Sequence, residues 1–182
     1  MPIPGKLLTT AMAVMPHTDL ERALELSTRA AIRGQLEGPI FSMIQRPRGV
    51  HLCGNPDWDF LLGLDLDILS LDVYTNAEVF GSYAKGMGRF LDRGAALAWG
   101  IVPTNSEPFQ QEDLLSLEAR LVGLWEALGR RGVDLELILD RGLLSPATCC
   151  LANQDVEATV ERAFETLVRL SAKLRARYGL SP

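Results

Sequence analysis

His51 and Cys53 stand two residues apart in the apolar, strand-like run Arg48-Gly49-Val50-His51-Leu52-Cys53-Gly54-Asn55. Alternate residues of a strand point to the same face, so an imidazole and a thiolate are presented side by side. A second run, Gly142-Leu143-Leu144-Ser145-Pro146-Ala147-Thr148-Cys149-Cys150, brings another thiol to its end. Two thiolates and an imidazole are the ligand types zinc prefers, in tetrahedral geometry and with an open position where the site is catalytic. Asp72 closes the next strand-like run and can supply a fourth ligand or hold one in place. Alone, a His-x-Cys pair is a weak signal, because free cysteines are common as small hydrophobes in cores.

The elements that must position these groups alternate in type. Strand-like runs cover Leu7–Met15, Leu36–Ile44 (weaker, interrupted by Gly38-Pro39), Gly49–Cys53, Asp67–Val73, Ala95–Val102 and Leu143–Ser145. Helical patterns lie between and after them, at 20–31, 56–64, 77–93, 111–131, 134–140 and 155–178. Asn55 is the expected cap of the 56–64 helix, with Pro56 at its first position. The 111–131 helix carries an apolar stripe at Leu114, Leu117, Leu121, Leu124, Trp125 and Leu128, and the last helix one at Val156, Val160, Phe164, Leu167, Leu170 and Leu174. Strands alternating with helices predict an α/β fold with a parallel sheet of about six βα units. Ligands of such folds bind at the carboxyl ends of the strands. Both histidines and all three cysteines follow or close strand-like runs, as do Asn55, Asp72, Tyr74 and Thr104.

Bulk properties narrow the class. The 182 residues fit one domain, 1–182, with 47% hydrophobic and 23% charged residues. A net charge of -5 gives no basic footprint for nucleic acid. No apolar run approaches the roughly 20 residues a bilayer span needs. Met1 to Lys6 lacks a signal-peptide pattern, and three cysteines are too few for a disulfide framework, so a cytoplasmic setting with reduced thiols is the expectation.

Four ordered motifs raise the weight of the His51-Cys53 pair. They are His-Leu-Cys-Gly-Asn-x-Asp-Trp from His51, Asp-Ile-Leu-Ser-Leu-Asp-x-Tyr from Asp67, Leu-Ala-Trp-Gly-Ile-Val-Pro-Thr from Leu97 and Ser-Pro-Ala-Thr-Cys-Cys-Leu from Ser145. In this order they resemble the last four strands of the cobalamin-independent methionine synthase barrel, in the superfamily that also holds uroporphyrinogen decarboxylase. The likeness covers about 49–178 and touches the N-terminus through Met15-Pro16-His17-Thr18-Asp19. It implies a (β/α)8 TIM-barrel-like fold and a zinc ion held by His51, Cys53, Asp72 and Cys149. The family's methionine synthases carry glutamate where this chain has Asp72. Cys150 stands where the family usually has glycine; neighbours on an extended segment point opposite ways, which favours Cys149 as the ligand.

The resemblance further implies methyl transfer from a donor such as a methyltetrahydropterin to a zinc-activated small-molecule thiol. His17, Asn55, Trp58, Tyr74, Trp99 and Thr104 become candidate substrate contacts, each with an ordinary packing or capping role as the alternative. Two departures qualify this. Six strands are fewer than the family's eight, so the barrel is incomplete, shortened, or completed by self-association through open edges. The Ile-Gly-Ser turn and the acidic residues that receive an amino acid are also missing, Met12-Ala13-Val14 standing in the turn. The acceptor expected is therefore a thiol other than homocysteine, with a catalytically silent barrel relative as the alternative.

Overall fold

A computed structural model of the chain describes residues 46–52, 54, 56–148 and 156–180. The expected strands at 7–15 and 36–44, the helix at 20–31, and the site residues His17, Cys53, Asn55 and Cys149 lie outside the described residues.

Among the described residues four strands form one parallel sheet in sequence order: β1 (Gly49–Leu52), β2 (Ile68–Asp72), β3 (Ala96–Val102) and β4 (Gly142–Pro146). Between them run α1 (Trp58–Leu62), α2 (Val73–Phe80), a 3-10 turn (Gly81–Tyr83), α3 (Ala84–Asp92), α4 (Ser106–Gln111), α5 (Leu114–Gly129) and α6 (Leu135–Asp140), and α7 (Val156–Tyr178) follows β4. The fold is thus α/β, as the alternation predicts, and its four described strands lie within a residue or two of the expected runs.

Several helix boundaries differ from expectation, each for a local reason. The first helix begins at Trp58, because the Asp57 carboxylate accepts from the Phe60 amide at 3.0 Å and caps it, two residues beyond the expected cap. The helix expected from Ala77 starts four residues earlier, at Val73, and is broken by a 3-10 turn at Gly81. The helix expected over 111–131 is α5, which starts three residues later because Asp113 and Ser116 open it with a reciprocal capping box; the short α4 before it was not expected. On α7 the buried stripe is Ala163, Leu167, Leu170 and Leu174, while Phe164 is 55% exposed. Phe164 adjoins Ala163 in sequence and so sits about 100° round the helix from it.

The register sorts the sheet's two faces. Val50, Leu69 and Leu97 form one row, and Leu52, Leu71, Trp99 and Leu144 another. These side chains, with Ile101, pack under the helices and make the core. The opposite face carries His51, Ser70, Ala98 and Leu143 in one row and Asp72, Gly100 and Ser145 in the next, small or polar side chains except for the exposed Leu143. On a flat sheet, side chains two strands apart stand about 9.6 Å from one another. Ser70 Oγ on β2 and Ser145 Oγ on β4 are 3.4 Å apart, so the sheet curls towards this face. A register shift between Gly100 and Val102 adds one residue to β3 opposite β4, a bulge that bends the edge further.

Candidate functional site

The concave face at the carboxyl ends of the strands holds the described half of the expected constellation. The alternation in β1 buries Val50 and Leu52 and leaves Gly49 and His51 exposed, which puts His51 on this face. Ser70, its direct partner in register, lies 2.9 Å from His51 Nδ1 through its Oγ. Two residues along β2, Asp72 shares that face. Desolvation lowers the His51 pKa below its ordinary 6.5, and the Asp72 carboxylate opposes the shift. The ring is therefore neutral at neutral pH, the form in which an imidazole binds a metal.

Asp72 is 3% exposed and already engaged. Its Oδ1 accepts from the Thr75 amide at 3.0 Å and caps α2; its Oδ2 accepts a long 3.5 Å contact from Asn76 Nδ2. Strand and helix meet here with no loop between them. This donor set fits zinc in part: His51 is suited to direct ligation, while Asp72 fits a supporting place beside the metal better than a ligand position. Among the described residues there is no group of three or more His, Cys, Asp or Glu side chains that could hold a metal ion, Cys53 and Cys149 being outside them.

The other described candidates sit in packed positions. Trp58 is fully buried, its ring 5.2 Å from that of Phe80. Trp99 is fully buried on the helix-covered face, 6.1 Å from Trp125. The Tyr74 hydroxyl donates to Glu112 at 3.0 Å, and the Arg120 guanidinium lies 5.2 Å over its ring, which ties α2 to the loop before α5. Glu112 in turn pairs with Arg120 at 2.9 Å. Thr104 is 2% exposed, and its hydroxyl meets that of Thr148 at 2.6 Å, joining the segment after β3 to the segment after β4.

Ser70, Ser145 and Thr148 were not singled out among the candidates above. A signal for Ser70 exists in the sequence: in Asp67-Ile68-Leu69-Ser70-Leu71-Asp72, period-2 alternation puts Ser70 on the face of Asp72, away from Leu69 and Leu71. Its pairing with His51 needs the register, which the sequence does not carry.

What the described residues define is a parallel α/β sheet, helix-covered on one side and concave and polar on the other. No protein-family model, curated protein or solved structure matches the chain. No described helix is long and apolar enough to cross a membrane.

Proposed function

We propose that this chain is a zinc-binding, TIM-barrel-type protein that transfers a methyl group to a thiol other than homocysteine, built on the plan of the cobalamin-independent methionine synthases in a shortened form. The observation that carries the reading is the concave strand-end face, on which His51 stands beside Ser70 and Asp72 with Cys53 two residues further along the chain. The curl of the sheet supports the barrel part. In such barrels alternate strands fill one interior layer, and Ser70 of β2 meets Ser145 of β4 across β3 in that manner.

Bound zinc would lower the pKa of an acceptor thiol so that it reacts as thiolate. His51, neutral and oriented by Ser70, would hold the metal together with Cys53 and Cys149. Asp72 would act from beside it, its negative charge favouring a cation while its Oδ1 caps α2. Ala98 and Gly100 keep β3 free of bulk between Ser70 and Ser145.

A second reading, a catalytically silent relative, is favoured by one observation. Trp58, Trp99 and Tyr74 are all committed to packing, so the described strand ends offer few groups to grip a substrate.

Metal analysis of protein purified under reducing conditions tests the site. About one zinc per chain is expected, lost in Cys53→Ser and in Cys149→Ser. Wild-type protein without zinc overturns the proposal. Methylation of a small-thiol panel by the zinc-loaded protein then separates enzyme from silent relative.

A further inference from the structure

A groove of about 460 Å3 opens between the α4–α5 junction and α7. That size lies in the range of roughly 300–1,000 Å3 usual for small-molecule sites. The α4–α5 side contributes apolar surface: Phe109 and Leu117 are buried, and Leu115 is 63% exposed. The α7 side contributes Arg162 and Arg169. They stand seven residues apart, close to two helical turns, so they share one face of α7 at about 10.5 Å from each other along its axis.

Charge sets this groove apart from the rest of the surface. The chain carries a net charge of -5. Yet Arg162 and Arg169 are both exposed, and among the described residues neither has a hydrogen-bond or ion-pair partner. The Arg162 guanidinium lies 4.6 Å over the Phe109 ring. That contact holds the group in place and spends none of its five N–H donors. Two of the lining carboxylates are engaged elsewhere. Glu112 accepts from the Tyr74 hydroxyl at 3.0 Å and pairs with Arg120 at 2.9 Å, and Asp113 Oδ1 accepts from the Leu115 and Ser116 amides, both at 2.8 Å. Of the described lining carboxylates only Glu165 is left to oppose the two arginines, so positive charge is in excess.

We infer that this groove binds a small organic anion with an apolar body, a carboxylate or phosphate carried on a short hydrocarbon chain. The acid group takes guanidinium N–H donors, whose fork matches two oxygens at once. The hydrocarbon lies against Phe109 and covers Leu115, which removes apolar surface from water. Neither half suffices: an inorganic anion leaves Leu115 wet, and a neutral alcohol leaves the arginines without an acceptor. The groove shares no residue with the His51 face, so the inference stands or falls apart from zinc.

Titrations of the full-length chain, followed by backbone 15N–1H correlation spectra, use octanoate, octyl phosphate, octanol and inorganic phosphate. Octanoate or octyl phosphate, or both, should give saturable shifts centred on Leu115, Arg162 and Arg169, and the tighter of the two identifies the acid group. Octanol and inorganic phosphate should bind at least about 10-fold more weakly, since each lacks one half of the ligand. Arg162→Gln and Arg169→Gln should each weaken the amphiphile about 10-fold, the value of a hydrogen bond to a charged group. Leu115→Glu should abolish binding while keeping the fold, because a carboxylate suits the first turn of a helix. Arg130→Gln, at the far end of α5, should leave the affinity unchanged. Octanol binding as tightly as octanoate overturns the inference, as do shifts that spare the groove and arginine variants that bind like wild type. Equal weakening by Arg130→Gln, failure of both amphiphiles to bind, or contacts from 1–45 or 149–155 filling the groove in the free protein overturn it too.

Discussion

Asp72 serves two neighbours at once. Its Oδ1 caps α2 through the Thr75 amide, and its charge acts on the His51 imidazole. The capping role gives a direct expectation. Asp72→Ala should lower unfolding free energy by about 1 kcal/mol in chemical denaturation, the usual cost of a lost N-cap. Asp72→Asn keeps an acceptor oxygen for Thr75 and should cost clearly less. The sequence marks Asp72 as an acidic residue at a strand end but hides the cap. Val73, Thr75 and Asn76 are poor helix formers, so helical character reads as beginning at Ala77, and only tertiary packing draws the helix start back to Val73. The tryptophans were ambiguous for a different reason. Leu-Ala-Trp-Gly-Ile-Val is apolar on both faces, so alternation alone cannot tell which side carries Trp99.

At the scale of elements, β3 sets the shape of the site by what it lacks. Its Gly100 is hemmed in by the backbones of β2 and of the end of β4, where a Cβ would stand 2.5 Å from the Leu71 carbonyl oxygen and 2.9 Å from that of Pro146. Gly100→Ala would push a methyl group into two carbonyl oxygens, and neither belongs to a flexible side chain. An overpacking penalty of about 1–3 kcal/mol is expected, read as a lower denaturation midpoint. The curl that brings Ser70 to Ser145 should relax with it. The four strands were legible because each is a short apolar run bounded by turn residues, and β1 also shows its facing through strict alternation. The concavity was not legible. It depends on contacts between residues 75 positions apart, which no local pattern encodes.

Across the whole molecule, the two ends of the sheet differ in chemistry. The carboxyl ends carry the histidine and hydroxyl groups. The amino ends of β1 and β2 are closed by a charge cluster: Arg46 and Arg48 each reach Asp65 at 2.6 Å, Arg46 also pairs with Asp67, and Asp67 accepts from the Arg48 amide at 2.7 Å. Hydrogen bonds from Arg46 first, and Arg48 second, hold the Asp65 carboxyl below its ordinary 3.8. The unfolded chain therefore takes up this proton at a higher pH than the folded one. The stabilisation is present above pH 3.8 and is lost as pH falls through the lower folded value. Asp65→Asn should flatten that acid-side loss in thermal melts followed from about pH 5 to about pH 2. The effect should be small and salt-sensitive, because the Asp65 side chain is 60% exposed.

The Thr104–Thr148 contact has a consequence for the two strands it joins. Thr148 is the last described residue before Cys149, and its hydroxyl is clasped to a buried partner that belongs to β3's own exit. The exits of β3 and β4 are thereby tied at one post, and the two strand ends cannot part there without breaking it. Under the zinc proposal, strand ends fixed in advance would leave less freedom to surrender when an ion is captured beside them.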